Sequence, residues 1–256
     1  MEQLANVLER FNRKERNLLI RDILGCRDKP LDLGSDFCER LAKTVGVPRD
    51  SVDHAWWATD FHFDWLAGAL LTFMKGETQD RQDNVSRYES HSKLVMGNQE
   101  DLDLVVVAHV PAATTPYHLI LIEAKAYGHF TSEQYQSKVN RLELLYAFYK
   151  ELERESQHRI SFHYVLYSPA RPTKLVPLPL PWQSNVATVP EHIHLELIIP
   201  ESSILTVARC DDEGALDIKG DFWRCVNLPA TAFPQQEDAS SEVSSFLSAD
   251  APADDQ

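Results

Sequence analysis

Apolar positions recur at helical spacing through the first quarter of the chain. Leu4, Val7, Leu8 and Phe11 share one face, which predicts a short amphipathic helix. Asn12, with Glu15 three residues on, predicts the cap of a second helix ending at Gly25. Ser35 is the expected cap of a third, closed by Gly46 and followed by Pro48. Trp65, Leu66, Ala69, Leu70 and Phe73 predict a strongly apolar helix with its core side on that face. Past a polar stretch around Gly76 to Gln82 the period changes. A short strand is expected near Lys93 to Met96, and Leu104-Val105-Val106-Val107 and Leu119-Ile120-Leu121-Ile122 are continuous apolar runs of the kind buried strands carry. Between them, His109 to Pro116 holds two prolines and no helical pattern, which predicts a hairpin connection.

Thr131 and Gln134 form a capping-box signal for a long helix running to about Ser156, with Tyr135, Val139, Leu142, Tyr146 and Tyr149 toward the sheet. Phe162 to Tyr167 is another core strand, followed by a proline-rich connection from Pro169 to Pro190. His194 to Ile199 and Ile204 to Cys210 predict strands, and Trp223 to Val226 closes a small hairpin. The order strand, strand, helix, strand predicts an α/β fold: a three-layer α/β/α sandwich with a mixed central sheet, an N-terminal helical region and a small C-terminal β appendage. The expected organisation is a helical region over 1–58, a core over 59–170, a β-rich extension of the same domain over 171–234, and a disordered acidic tail over 235–256. No internal repeat is present.

Composition narrows the classes. The 256 residues suit one sizeable domain with appendages, and 43% hydrophobic residues supply a core. No stretch approaches the roughly 20 apolar residues that cross a bilayer, and Met1-Glu2-Gln3-Leu4 shows no secretory pattern. The four cysteines, at 26, 38, 210 and 225, have no CxxC spacing, which argues against a zinc site or a disulfide framework and points to a reducing cytoplasm. A formal charge of −14 argues against an ordinary nucleic-acid binder, and the six acids between Glu237 and Asp255 account for less than half of it. Cation–phosphate contacts dominate DNA affinity, so any DNA binding must rest on local patches. Two candidates are Arg10, Arg13, Lys14, Arg16 and Arg21 near the start, and Lys138, Arg141, Lys150 and Arg154 on the long helix. Weak unaided DNA binding follows, with delivery by a partner protein or restraint by the tail.

The candidate chemistry sits at the end of the second apolar run, where Glu123-Ala124-Lys125 follows Ile122. Side chains alternate along a strand, so Leu119, Leu121, Glu123 and Lys125 share a face. A hairpin centred on Ala113 sets Asp103 opposite Glu123. Opposed residues have Cβ atoms roughly 5 Å apart. Two carboxylates that close repel unless a cation sits between them, and hard oxygen donors suit Mg²⁺.

Asp103, in Glu100-Asp101-Leu102-Asp103-Leu104-Val105-Val106, and the triplet Glu123-Ala124-Lys125 resemble the PD-(D/E)xK superfamily of restriction-endonuclease-like nucleases. The resemblance spans roughly Asp60 to Ser168, and departs from the pattern at Leu102, where a proline often precedes the first acid. It implies that Asp103 and Glu123 hold Mg²⁺ or Mn²⁺, that the Ala124 backbone carbonyl adds a ligand, and that Lys125 positions the attacking water. It also implies an upstream acid from the first core helix. The candidates are Asp60, Asp64, Glu77 and Glu89, with Asp64 favoured because it begins the apolar helix one turn before Gly68, on a face able to approach the sheet; the alternative is a helix-terminus acid stabilised by the macrodipole. Gln134 and Lys138 match the glutamine and basic residue that relatives place on the helix after the triplet, and Arg141 is a further substrate contact; the alternatives are the capping box and a solvated face. His62, between Asp60 and Asp64, would stand behind the metal ligands, or more simply be a packed ring beside tryptophan, and His192 and His194 lack a third ligand nearby. A competing match, Asp217-Ile218-Lys219, lies between glycines and belongs to a surface hairpin.

The function so implied is a divalent-metal-dependent DNA phosphodiesterase of the restriction or phage-defence kind, dimeric if it cuts both strands. The rival from another class is a non-cleaving binding or regulatory subunit of a multiprotein assembly. A third reading, a simple Glu123–Lys125 ion pair in an unrelated α/β enzyme, finds no Gly-rich phosphate loop or Ser–His elbow to support it.

Overall fold

In the computed structural model, residues 3–12, 14–24, 31–75, 94–95, 97, 100–126, 130–183, 192–199 and 204–228 are described. The acidic tail, Glu77, Glu89 and Arg13 fall outside them, as does the polar stretch from Gly76. By contacts the chain divides into two compact units: one of residues 1–124, 130–167 and 173–195, the other of 125–129, 168–172 and 196–256.

The first unit is built on a mixed sheet. Its strands are β1 (Trp56–His62), β2 (Asp101–His109), β3 (Tyr117–Ala124), β4 (Ile160–Ser168) and β5 (Ile193–Glu196), adjacent in that order. β1, β2 and β3 form an antiparallel meander, whereas β4 runs parallel to β3. A parallel neighbour needs a long crossover. The helix Ser132–Glu153 supplies it and is called α6 because five helices precede it: α1 (Leu4–Phe11), α2 (Glu15–Ile23), α3 (Ser35–Val45), α4 (Arg49–Asp53) and α5 (Phe63–Lys75).

Helices cover both faces of the sheet, so the fold is a three-layer α/β/α arrangement. On one face Val105, Val107, Leu119, Leu121 and Phe162 pack with α1, α5 and α6 through Leu8, Leu70 and Leu142. On the other, Val106, Ile120, Ile122 and Val165 pack with α3 and α4 through Cys38, Leu41 and Val52. Alternate residues of β2 and β3 therefore serve opposite cores, which explains their unbroken apolar runs.

Several helix ends differ from the sequence expectation. Lys14, not Asn12, is the cap residue of α2; the Asn12 Oδ1 instead accepts the Lys14 N–H at 3.3 Å. Gly34 precedes α3 in the cap position, and Gly46 closes that helix with φ 74°, a left-handed conformation that favours glycine. α6 starts as expected: Thr131 Oγ1 accepts the Gln134 N–H at 3.2 Å. Gly68 does not face the sheet. A Cβ there would lie 2.8 Å from Phe11 Cε1, so its missing side chain admits the last residue of α1.

Strand β1 had no signal in the hydrophobic pattern, because its two ends carry Trp56-Trp57 and His62 rather than an alternating aliphatic run. The strand expected near Lys93 to Met96 is not seen at Leu94 and Val95, which lack regular structure; the rest of it lies outside the described residues. β5 is shorter than expected, ending at Glu196.

The second unit contains an antiparallel pair, β6 (Ile204–Cys210) and β7 (Phe222–Leu228). Asp217-Ile218-Lys219 lies in the connection between them, with Ile218 exposed, as a surface hairpin requires. No described helix is long and apolar enough to cross a membrane.

Candidate active site

The β2–β3 ladder pairs Leu104 with Ile122 and His109 with Tyr117, so it is centred on Ala113; it ends at Leu104 and Ile122, and the same register continued by one residue sets Asp103 opposite Glu123. The turn that sets this register is closed by the Val110 N–H, which donates to Pro116 O at 2.7 Å. Both acids are half-buried. Asp103 Oδ2 accepts the backbone N–H of Ala124 at 2.7 Å, tying the end of β3 to β2. Glu123 Oε2 is buried and lies 3.3 Å from Lys138 Nζ on α6.

The β1 side of the site is irregular. The β1–β2 ladder pairs Thr59 with Leu104 and Phe61 with Leu102, and the position between them, Asp60 across from Asp103, is skipped. Asp60 has φ 52°, a left-handed conformation in a non-glycine residue. Ala58 and Phe61 both reach the same core, as do Leu102 and Val105, so the in–out alternation slips on both strands here. Backbone strain of this kind costs of order 1–3 kcal/mol and persists where the surroundings over-determine it. Asp60 Oδ2 sits 3.0 Å from Arg16 NH1.

Around the two acids lies a cluster of ion pairs drawn from four elements and the α1–α2 link. Arg141 is 6% exposed, with NH2 3.0 Å from Asp64 Oδ1 and Nε 3.4 Å from Glu100 Oε2. Asp64 Oδ2 also accepts the Gly97 N–H at 2.8 Å. Asp101 receives Lys14 Nζ at 2.6 Å, and the His62 ring lies against its other oxygen. The Lys138 ammonium also donates to the Asp101 carbonyl oxygen. Lys138 and Arg141 both stand 5.5 Å from the Phe63 ring centroid, which gives each cation a face to rest on. Five carboxylates thus converge with three permanent cations.

Tyr164 on β4 lies beneath this cluster. Burial pushes its phenol well above the ordinary range, with further upward pressure from Glu123, Tyr135, Asp103 and Glu100. Both site acids therefore act on the same buried hydroxyl, on the α6 side of the sheet. That hydroxyl has no hydrogen-bond partner among the described residues.

The sequence candidates separate accordingly. Asp103, Glu123, Asp64, Lys138 and Arg141 come together, with Ala124 contributing its N–H. Gln134 is exposed in the first turn of α6, where its N–H serves the cap. Lys125 is the first residue past β3, half-buried, and is grouped with the second compact unit. His192 is a structural residue: its ring bonds Tyr135 OH and Leu175 O, both at 3.1 Å. Most members of the two expected basic patches are engaged locally. Lys14, Arg16, Arg21, Lys138, Arg141 and Lys150 all stand in ion pairs, because each long side chain finds an acid on a neighbouring element or turn. Glu100, Asp101 and Tyr164 were missed as cluster members. Glu100 and Asp101 stood beside Asp103 in the motif, whereas Tyr164 had no signal beyond its strand.

Two carboxylates on neighbouring strands fit the donor chemistry of Mg²⁺, which takes one or two protein carboxylates and keeps several waters. Among the described residues no group of three His, Cys, Asp or Glu is placed to hold a metal. Compared with protein-family models, curated proteins and solved structures, the chain matches none.

Proposed function

We propose that this chain is a divalent-metal-dependent phosphodiesterase acting on DNA, of the PD-(D/E)xK kind. The supporting observation is the opposed pair Asp103 and Glu123 at the polar end of two buried strands, with the Lys138 ammonium beside them. The mixed sheet, with α6 crossing from β3 to a parallel β4, agrees with that reading. Asp103, Glu123 and the Ala124 carbonyl would hold Mg²⁺. When bound, the ion lowers the pKa of its water and screens charge on phosphorus. Lys138, already poised on Glu123, would offset charge on the scissile phosphate. Asp64 acts through Arg141, whose guanidinium it holds in place. A cytoplasmic setting and a role in restriction or phage defence belong to this same proposal.

The test is Mg²⁺-dependent nicking of supercoiled plasmid and cutting of single-stranded DNA by the full chain. Asp103→Ala and Glu123→Ala should each abolish it with an unchanged circular-dichroism spectrum. Full activity in either variant sinks the assignment.

A second reading is favoured by the pairing of Lys14, Lys138 and Arg141: a non-cleaving subunit of a larger assembly, whose acids and bases only satisfy each other. Calorimetry with Mn²⁺ separates the two. Binding that vanishes in Glu123→Ala supports the phosphodiesterase, and no binding to the wild type supports the subunit.

A further inference from the structure

At the other end of β1 and β2, away from Asp103 and Glu123, the first unit holds a cavity of about 550 Å³. That size falls within the roughly 300–1,000 Å³ of small-molecule sites. Its walls are aromatic: Trp56 and Trp57 from the edge strand, and the stacked pair His109 and Tyr117, whose ring centroids lie 4.7 Å apart. The indoles are locked in place. Trp56 Nε1 donates to Glu9 Oε2 at 2.8 Å, and Trp57 Nε1 donates to Leu31 O at 2.6 Å. With their polar edges satisfied, these rings offer only their faces and apolar edges.

One polar group in the wall stands apart. Asn17 on α2 is 6% exposed and lines the cavity, yet no hydrogen bond joins its amide to a described residue. Its donor and acceptor are therefore free to pair with whatever enters the cavity. The charges nearby exclude a phosphate as that partner. Arg21 is paired with Glu9, and Asp50 adds a negative charge to the lining.

We infer that this cavity binds an uncharged purine base, adenine, stacked against its aromatic walls and read by the Asn17 amide. An asparagine amide carries one donor side and one acceptor side, which match the N6 amino group and N7 of adenine in a paired contact. Aromatic side chains stack on any base. The site is separate from the phosphodiesterase proposed above and does not depend on it.

The experiment is titration of the full-length chain with adenosine, guanosine, cytidine, thymidine and adenosine 5′-monophosphate, followed by tryptophan fluorescence and calorimetry. Saturable binding of adenosine is expected, with the other nucleosides and the monophosphate weaker. Asn17→Leu should weaken adenosine by about tenfold or more, since a good paired contact to a base discriminates at that level. Ala5→Leu, which adds bulk to the cavity wall at a different residue, should weaken binding too, so the test survives if one variant misfolds. Asp103→Ala should bind adenosine like the wild type, whatever its effect on DNA cleavage. Absence of saturable adenosine binding overturns the inference. So does equal binding of all four nucleosides, or binding undiminished in the folded variants.

Discussion

Lys138 Nζ on α6 stands 3.3 Å from Glu123 Oε2 on β3, and both side chains are largely buried, at 13% and 15% exposed. A helix that crosses over a sheet thus returns a cation to the strand it left. The pair determines what Glu123 can do. Lys138 also donates to the Asp101 carbonyl oxygen, so one ammonium ties Glu123 to the start of β2.

Lys138→Met should therefore destabilise the fold by about 1–3 kcal/mol, because a partly buried charge loses its partner. Adding Glu123→Gln should recover part of that loss. Urea unfolding of the two single variants and the double variant measures the coupling directly, and a coupling near zero shows the contact to be passive.

Arg141 is the more deeply buried cation. Arg141→Met leaves Asp64 and Glu100 facing each other and should cost about 3–5 kcal/mol. Arg141→Lys should not restore stability, since an ammonium cannot span both carboxylates as the guanidinium fork does. Thermal melts of the two variants check this; a lysine variant as stable as wild type refutes it.

His163 on β4 and His118 on β3 share a ring-to-ring hydrogen bond at 3.0 Å. Burial, and then His118, push His163 down to about 4 from an ordinary 6.5, and burial alone lowers His118. Both are groups that the unfolded chain protonates first. Stability is full above pH 6.5 and falls as pH drops toward 4, at about 1.4 kcal/mol per unit from His163, or about 3 kcal/mol in all. Denaturant midpoints across that window test it, and His163→Gln should flatten the slope.

Two glycines should respond differently to alanine. A Cβ at Gly220 would lie 2.0 Å from the Cys210 carbonyl oxygen, a backbone atom that cannot step aside, so Gly220→Ala should disrupt the β6–β7 connection. At Gly68 the obstacle is the tip of the Phe11 ring, which can move. Gly68→Ala also gains up to about 1 kcal/mol of helix propensity, so its net effect should be within about 1 kcal/mol of zero. Proton–nitrogen spectra report the first as local shifts near Cys210, and melting temperatures report the second.

Periodicity alone determined the apolar strands β2 and β3, the α6 crossover with its Thr131 cap, and a register centred on Ala113 that opposes Asp103 to Glu123. Those features depend on neighbours in the chain, and local spacing records them. Only the tertiary structure decided the positive φ of Asp60, the strand β1, the burial of Arg141 between Asp64 and Glu100, and the turn of Lys138 from a solvated face onto Glu123. Each depends on partners outside the residue's own element. A lysine or arginine on a helix face has the same local pattern whether it meets water or a carboxylate; which one it meets is settled by the elements the topology brings beside it.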